Sequence, residues 1–276
     1  MTLPVAGPVL VTAPVPVPLL RPDWPAPPGL VAAMSTREGG VSAAPWHSLN
    51  LGLAVGDDAA AVTENRARFA AALGARPAWL RQVHGIHVIR LRADQTPDQT
   101  PASEESEEPA DAAWTSDPGI ACTVQVADCL PVLFAARNGR AVAAAHAGWR
   151  GLSAGVLEAT LQALQQGADV APGDVVAWLG PCIGPRQFEV GADVLRAFCD
   201  EQGNPLDADS FVQRHRADGS VRWLANLQRL AQRRLVAAGV GAVSVLAGCS
   251  VEEESRFFSF RRDGVTGRMA AAIFLR

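Results

Sequence analysis

Residues 122–151 read CTVQVADCLPVLFAARNGRAVAAAHAGWRG, and the fold follows from this stretch. Two apolar runs, Ala121–Val126 and Pro131–Ala136, are short, rich in aliphatic residues and uninterrupted by charge. That is how strands buried on both faces read. Between them stands Ala127-Asp128-Cys129. After the second, Asn138-Gly139 predicts a tight two-residue hairpin turn, in which both central positions take positive φ. A third run, Ala141–Ala145, ends on His146 and breaks into Gly148-Trp149-Arg150-Gly151, and a helical pattern follows over Ser153–Gln166. Soft-ligand and polar side chains therefore fall at the ends of buried strands, where they converge on a cleft.

Working outward, Leu30–Ala33 predicts a short strand leading into a glycine-punctuated loop that carries Arg37. Asn50–Leu53 reads as a strand-to-loop passage. Asp57 or Asp58 caps an amphipathic helix running to about Leu73, with Gly74 as its stop. Trp79–His84 and Ile86–Leu91 read as strands meeting at Gly85. On the C-terminal side, Val175–Leu179 is a strand entering the loop Gly180–Gly184. Ala192–Cys199 and Trp223–Ala238 read as helices and Val243–Ala247 as a strand. Phe257–Arg262 and Arg268–Leu275 read as two strands around a turn. Strands and helices mix without a βαβ period. This predicts an α+β (mixed αβ) class, a single globular domain of mixed sheets flanked by helices over residues 28–276. Two segments fall outside it. Residues 1–27 read as a flexible proline-rich leader, since prolines interrupt the apolar run and no basic stretch precedes it. Residues from about 93 to 112, with Glu104, Glu105, Glu107 and Glu108, read as a disordered, solvated insertion rather than an acidic recognition arm.

The composition narrows the chemistry. The chain has 276 residues, 49 % hydrophobic and 19 % charged, with a net charge of −4, which is ample for one core and gives no basic face for nucleic acid. It contains no lysine and no tyrosine. A Schiff-base lysine and a Walker A phosphate loop are therefore excluded. The five cysteines are odd in number and scattered, which predicts free thiols in a reducing cytoplasm. No membrane span is expected.

Three residues read as candidate metal ligands: His84, Cys129 and His146. One thiolate and two imidazoles suit zinc, and three protein ligands leave a fourth position for water or substrate. The same atoms admit a second reading, with Cys129 as a nucleophile whose thiolate is stabilised by a histidine and Asp128 orienting the base. Under the metal reading Asp128 becomes an outer acceptor or a proton carrier. For anions, Arg150 sits in a glycine-framed turn before a helix, and Arg261, Arg262 and Arg268 crowd another; arginine forks bind phosphate bidentately. Cys182 reads as a small buried residue and His87 and His215 as structural or surface groups. His47 is unassigned.

Taken together, RQVHG (81–85), ADCLP (127–131), HAGWRG (146–151), GPCIGP (180–185), FSFRRDGVTGR (258–268) and STREGGVS (35–42) resemble the YfiH/laccase-domain family, over residues 28–276 apart from the acidic insertion. The resemblance implies a single mixed αβ domain with zinc held by His84, Cys129 and His146. It further implies phosphorolysis of adenosine, inosine, guanosine and methylthioadenosine, with adenosine deamination beside it. Cys129, His146 and Asp128 are then the catalytic candidates, and Arg37, Asn50, Gln82, Arg150 and Arg261 the pocket candidates for nucleoside and phosphate. The expected assembly is a monomer or weak homodimer. A multicopper oxidase does not fit, because five histidines cannot furnish a trinuclear cluster and a blue-copper site together. Where relatives often carry a further cysteine after GPCIGP, this chain has Arg186. A cysteine or zinc amide hydrolase acting on peptidoglycan precursors remains the alternative, and a non-catalytic zinc-binding module a third.

Overall fold

The computed structural model describes residues 16–95 and 105–276. The chain runs β1 (Leu19–Leu20), β2 (Leu30–Ser35), α1 (Ala59–Leu73), β3 (Arg76–Ala78), β4 (Val88–Arg90), β5 (Ala112–Thr115), β6 (Ile120–Val126), β7 (Leu130–Ala136) and β8 (Val142–Ala147). It continues through α2 (Trp149–Ala154), α3 (Val156–Ala168), β9 (Val175–Leu179), β10 (Glu189–Val190), α4 (Ala192–Arg196), β11 (Phe211–His215) and β12 (Val221–Ala225). It closes with α5 (Leu227–Ala237), β13 (Ala242–Val245), α6 (Phe260–Asp263) and β14 (Met269–Leu275).

Two mixed sheets stack face to face. One has five strands in the order β1-β2-β14-β6-β3 and the other six in the order β13-β9-β7-β8-β5-β4. A three-stranded sheet, β10-β12-β11, stands beside them. The period-2 rule shows why the central runs carry no polar face. In β7, Leu133 and Ala135 point into the layer between the sheets, while Val132, Phe134 and Ala136 point into the layer under α3 and α5. β8 divides in the same way: Val142 and Ala144 face the first layer, Ala143 and Ala145 the second. A third apolar layer, including Phe69 and Leu73 of α1, covers the outer face of the five-stranded sheet. At about 1.5–3 kcal/mol for each large side chain buried, these layers are the main stabilising term.

Twice the chain leaves the five-stranded sheet for the six-stranded one, between β3 and β4 and again between β6 and β7. His84 lies on the first connector and Cys129 on the second.

The mixed αβ class holds, and β9 and the end of α1 fall where expected, with Asp58 the N-cap and a left-handed Gly74 the stop. Several local expectations need correction. The β7–β8 connection spans residues 137–140, because Ala136 N–H bonds the Ala141 carbonyl, and only Gly139 there has positive φ. The helix expected from Ser153 starts at Trp149 and breaks at Gly155, whose φ of 106° ends α2 and opens α3. Residues 79–87 are loop except for a bridge at Arg81, since their backbone groups serve the site described below. Asn50–Leu53 is likewise loop. Residues 223–225 belong to β12, and α5 starts only after Asn226, whose side chain caps it. The tail before β14 is a turn of helix, α6, capped by Ser259.

Both segments expected to be unstructured contain ordered residues. Residues 1–15 lie outside the described part, but Leu19 and Leu20 pair with Ser35 and Met34 as an edge strand. Within 93–112, residues 96–104 lie outside the described part, whereas 105–112 are docked. Ser106 and Ala110 donate to the Trp79 and Arg81 carbonyls, and Ala110, Asp111 and Ala112 are wholly buried.

Candidate functional site

His84, Cys129 and His146 come together, with one ligand atom from each lying within 4.8 Å of the others. His146 lies one residue before the end of the buried strand β8, so its ring position is set by the sheet. Cys129 follows Asp128, whose φ of 85° turns the chain sharply between the two sheets. His84 itself has φ of 61°. Gly148 completes the floor: a Cβ there would meet His84 Cδ2 at 2.7 Å and Cys129 Sγ at 3.1 Å, so no side chain fits.

Asp111, at the edge of β5, organises the cluster. Its Oδ1 lies 2.8 Å from His146 Nδ1 and accepts the His84 N–H at 2.9 Å. Its Oδ2 accepts the Gly85 N–H at 2.6 Å and the Val83 N–H at 3.2 Å. One buried carboxylate thus gathers the His84 loop and fixes the imidazole of His146. A proton on Nδ1 facing Asp111 leaves the Nε2 lone pair of His146 free to bind an ion.

The electrostatics follow. Burial opposes ionisation of Cys129, yet the charge and hydrogen bond of His146 and the contact with His84 bring its thiol down to about 6. Burial likewise opposes the charge on His146, but Cys129 and Asp111 raise it to about 9. For Asp111 burial pushes the carboxyl up, but hydrogen bonds from His146 and Gly85 outweigh it and hold the group below the usual range. The far cysteines behave otherwise: burial pushes the Cys122 and Cys182 thiols well up.

The donor set fits a zinc ion. Zn–S near 2.3 Å and Zn–N near 2.0–2.1 Å at a tetrahedral angle require sulfur and nitrogen about 3.6 Å apart. Cys129 Sγ and His84 Nε2 are 3.7 Å apart. The His84 and His146 rings meet edge to face with centroids at 4.7 Å, so both can aim at one point.

The cluster opens into a cavity of about 510 Å³, lined also by Gln82, Glu105, Gln125, Asp128, Trp149 and Phe188 and by three arginines, Arg150, Arg261 and Arg268. Arg150 lies over the Trp149 ring at 4.4 Å and Arg261 over Phe188 at 5.5 Å. Arg268 is largely desolvated, which lowers its pKa, and it donates to the Thr266 and Gly267 carbonyls. Among the described residues, none of the three has a carboxylate at ion-pair distance. Gln82 is held in place by a two-way bond with the Gln125 backbone.

Two expected pocket residues lie elsewhere. Arg37 donates to the His47 and Glu254 carbonyls and packs on Phe258, lining a different surface hollow. Asn50 is wholly buried, accepting from Gly52 and Arg268 N–H groups and donating to Asp57. Neither lines the cavity of the cluster. Asp128 lines the cavity but does not orient a histidine. It accepts from Ser250 at 2.5 Å, Ser259 at 2.7 Å and the Arg261 N–H at 2.7 Å, and so draws the start of α6 to the cavity.

A sequence model of the multi-copper polyphenol oxidoreductase laccase family matches residues 31–276. The chain belongs to this family. It is 47 % identical to a purine nucleoside phosphorylase of Pseudomonas aeruginosa over 258 residues, covering 93 % of this chain and 98 % of that one. It is 46 % identical to the purine nucleoside phosphorylase YfiH of Escherichia coli, with 93 % and 98 % covered. Among solved structures, a Neisseria meningitidis protein superposes with TM-score 0.81 at 44 % identity over 93 % of this chain and 98 % of that one. YlmD of Geobacillus stearothermophilus gives 0.80 at 32 %, covering 95 % and 100 %. Copper chemistry of the kind in this laccase family's description does not fit the donors, since His84 and His146 are the only histidines grouped with other ligands among the described residues.

The laccase-domain motifs led to every ligand of the cluster but missed Asp111, which follows an acidic low-complexity run. The signal available was the apolar run Ala112–Thr115 directly after it, a strand whose first neighbour is Asp111.

Proposed function

We infer that this chain is a purine nucleoside phosphorylase that cleaves a purine nucleoside with phosphate to give the free base and ribose 1-phosphate. The observation that carries the reading is one cavity holding both the His84–Cys129–His146 cluster and three arginines that have no carboxylate partner among the described residues. A phosphate dianion needs such a cationic wall, and guanidinium forks match its oxygens. The names of the relatives above point to the same reaction.

A phosphate oxygen attacks the anomeric carbon, the C–N bond to the purine breaks, and its electron pair leaves with the base, which takes up a proton. Arg150, Arg261 and Arg268 hold the phosphate and balance its charge. Trp149 and Phe188 offer apolar surface for the base. Fixing both substrates in one cavity supplies much of the acceleration. His84, Cys129 and His146 would hold the metal ion, which we propose to be zinc, and it would supply a Lewis-acidic positive centre at the head of the cavity. Asp111 keeps His146 and the His84 loop in place for it. The chain lacks the H-x-E and P-C-x-x-C pattern of zinc nucleobase deaminases, so an adenosine deaminase side activity at this site would use a different arrangement.

No helix among the described residues is long and apolar enough to cross a membrane, and free cysteines suit the cytoplasm we assign it to. A second reading has one observation in its favour: Cys129, His146 and Asp111 form a thiol–imidazole–carboxylate series fit for amide hydrolysis. An amidase has no use for phosphate. The deciding assay is base release from adenosine and inosine with and without phosphate, for wild type and Cys129→Ala. Phosphate-dependent release that disappears in the variant supports the phosphorylase, and release that ignores phosphate refutes it.

A further inference from the structure

Glu105 sits in the acidic segment read from sequence as a solvated insertion, yet its side chain is only 23 % exposed and lines the cavity. Its partner is unusual. Arg66 of α1 is wholly buried, lies over the Trp79 ring at 4.1 Å, and reaches Glu105 Oε1 at 2.9 Å. Burying a guanidinium is costly unless its partner is fixed, so the ion pair is built into the fold. Gln125 Nε2 also donates to Oε1, at 3.1 Å, and the Gln125 backbone is in turn clasped by Gln82. The next residue is tied down by the Ser106 N–H on the Trp79 carbonyl at 2.9 Å. Arg66 and Gln125 therefore reach the same oxygen, and no donor among the described residues reaches Oε2.

The result is a carboxylate of fixed position with one acceptor oxygen that takes no donor among the described residues, on the wall of a cavity whose other charged side chains include three arginines with no carboxylate partner among those residues. A carboxylate accepts only, so its complement in the substrate must donate. Base edges are poor candidates for a site serving purine nucleosides as a class, because adenine and hypoxanthine present opposite donor and acceptor patterns at the same ring positions. The ribose hydroxyls are identical in every purine ribonucleoside, and an acidic side chain is a common partner for them. We propose that Glu105 is a specificity-determining residue that accepts a hydrogen bond from the ribose diol and selects ribonucleosides over deoxynucleosides. The proposal rests on the phosphorylase reading above.

The test is phosphorolysis of inosine, 2′-deoxyinosine and 3′-deoxyinosine by the zinc-loaded wild type, Glu105→Ala and Glu105→Gln. The glutamine retains an oxygen for Arg66, which protects the fold if the alanine variant does not survive. A hydrogen bond to a charged group is worth about 10- to 100-fold. Wild type therefore prefers inosine to at least one deoxy analogue by about that factor. The variants lose a similar factor in kcat/KM on inosine but stay within about threefold on that analogue. A purely structural role for Glu105 lowers all three substrates together and leaves both ratios unchanged, and that result overturns the proposal. Wild type inactive on every nucleoside, with or without phosphate, instead refutes the phosphorylase reading itself.

Discussion

Asp111 and His146 are joined twice: the Asp111 carboxylate meets His146 Nδ1 at 2.8 Å, and its carbonyl accepts the His146 N–H at 2.7 Å. Side chain and backbone together leave the imidazole no freedom to turn. Outer carboxylates of this kind typically account for about 10- to 100-fold in metal affinity. Asp111→Asn is expected to weaken zinc by that factor, because an amide cannot accept from His146 and from three loop N–H groups at once. Competition with a chromogenic chelator measures it, and unchanged affinity would remove Asp111 from the site.

Gly148 sets a steric limit on the same cluster. Its added Cβ would lie 2.7 Å from the His84 ring and 3.1 Å from the Cys129 sulfur. Gly148→Ala is expected to lower zinc stoichiometry well below one per chain and to abolish phosphorolysis. The far-ultraviolet circular dichroism should stay as in wild type, since the clash is with side chains at a cavity floor. A fully zinc-loaded, active variant would contradict this geometry.

Thiol reactivity reports the electrostatics directly. A cysteine whose pKa is lowered keeps its thiolate as the pH falls and loses it only near that value. In protein stripped of metal, Cys129 is expected to be alkylated by iodoacetamide at pH 7, with the rate falling as the pH passes about 6. Cys122 and Cys182, pushed upward by burial, stay unreactive in the folded protein. Zinc should protect Cys129. Peptide mapping by mass spectrometry shows which thiol reacts, and equal labelling of all three would contradict the assignment.

Arg268 lines the cavity of the cluster and Arg37 a separate hollow, so the two test the proposed phosphate wall against a position outside it. Arg37→Ala is expected to leave the KM for phosphate within about twofold and to cost about 1 kcal/mol of stability, from its lost bonds to two loop carbonyls. Arg268→Ala should raise the KM for phosphate at least tenfold, about 1.4 kcal/mol. Initial rates against phosphate concentration distinguish them. A large KM change in Arg37→Ala would restore it to the site.

Legibility from sequence tracked burial. β6, β7 and β9 were readable because both faces of each are packed, so their runs are apolar from end to end. Phe257-Phe258-Ser259-Phe260 was misread because Phe258 and Phe260 flank a capping serine, and alternation around a cap imitates a strand. Trp223–Ala238 was misread because β12 and α5 are both apolar on one side, and only Asn226 marks the joint. At the site, His84, Cys129 and His146 were identifiable from their donor chemistry together with the laccase-domain motifs that carry them. Asp111 and Glu105 were not, because a carboxylate serving a buried partner looks like any other acid until its partner is located. Arg37 and Asn50 erred the other way, as polar residues in glycine-rich loops that satisfy neighbouring backbone.

His84 and Cys129 are carried on the two connectors between the stacked sheets, while His146 belongs to one sheet alone. The width of the layer between the sheets therefore works as a caliper on the ion. Ala113, Ala135, Ala144 and Ala271 fill that layer with methyl groups. Enlarging one of them to valine would spread the gap remotely, changing which ionic radius the three ligands grip best without touching any of them.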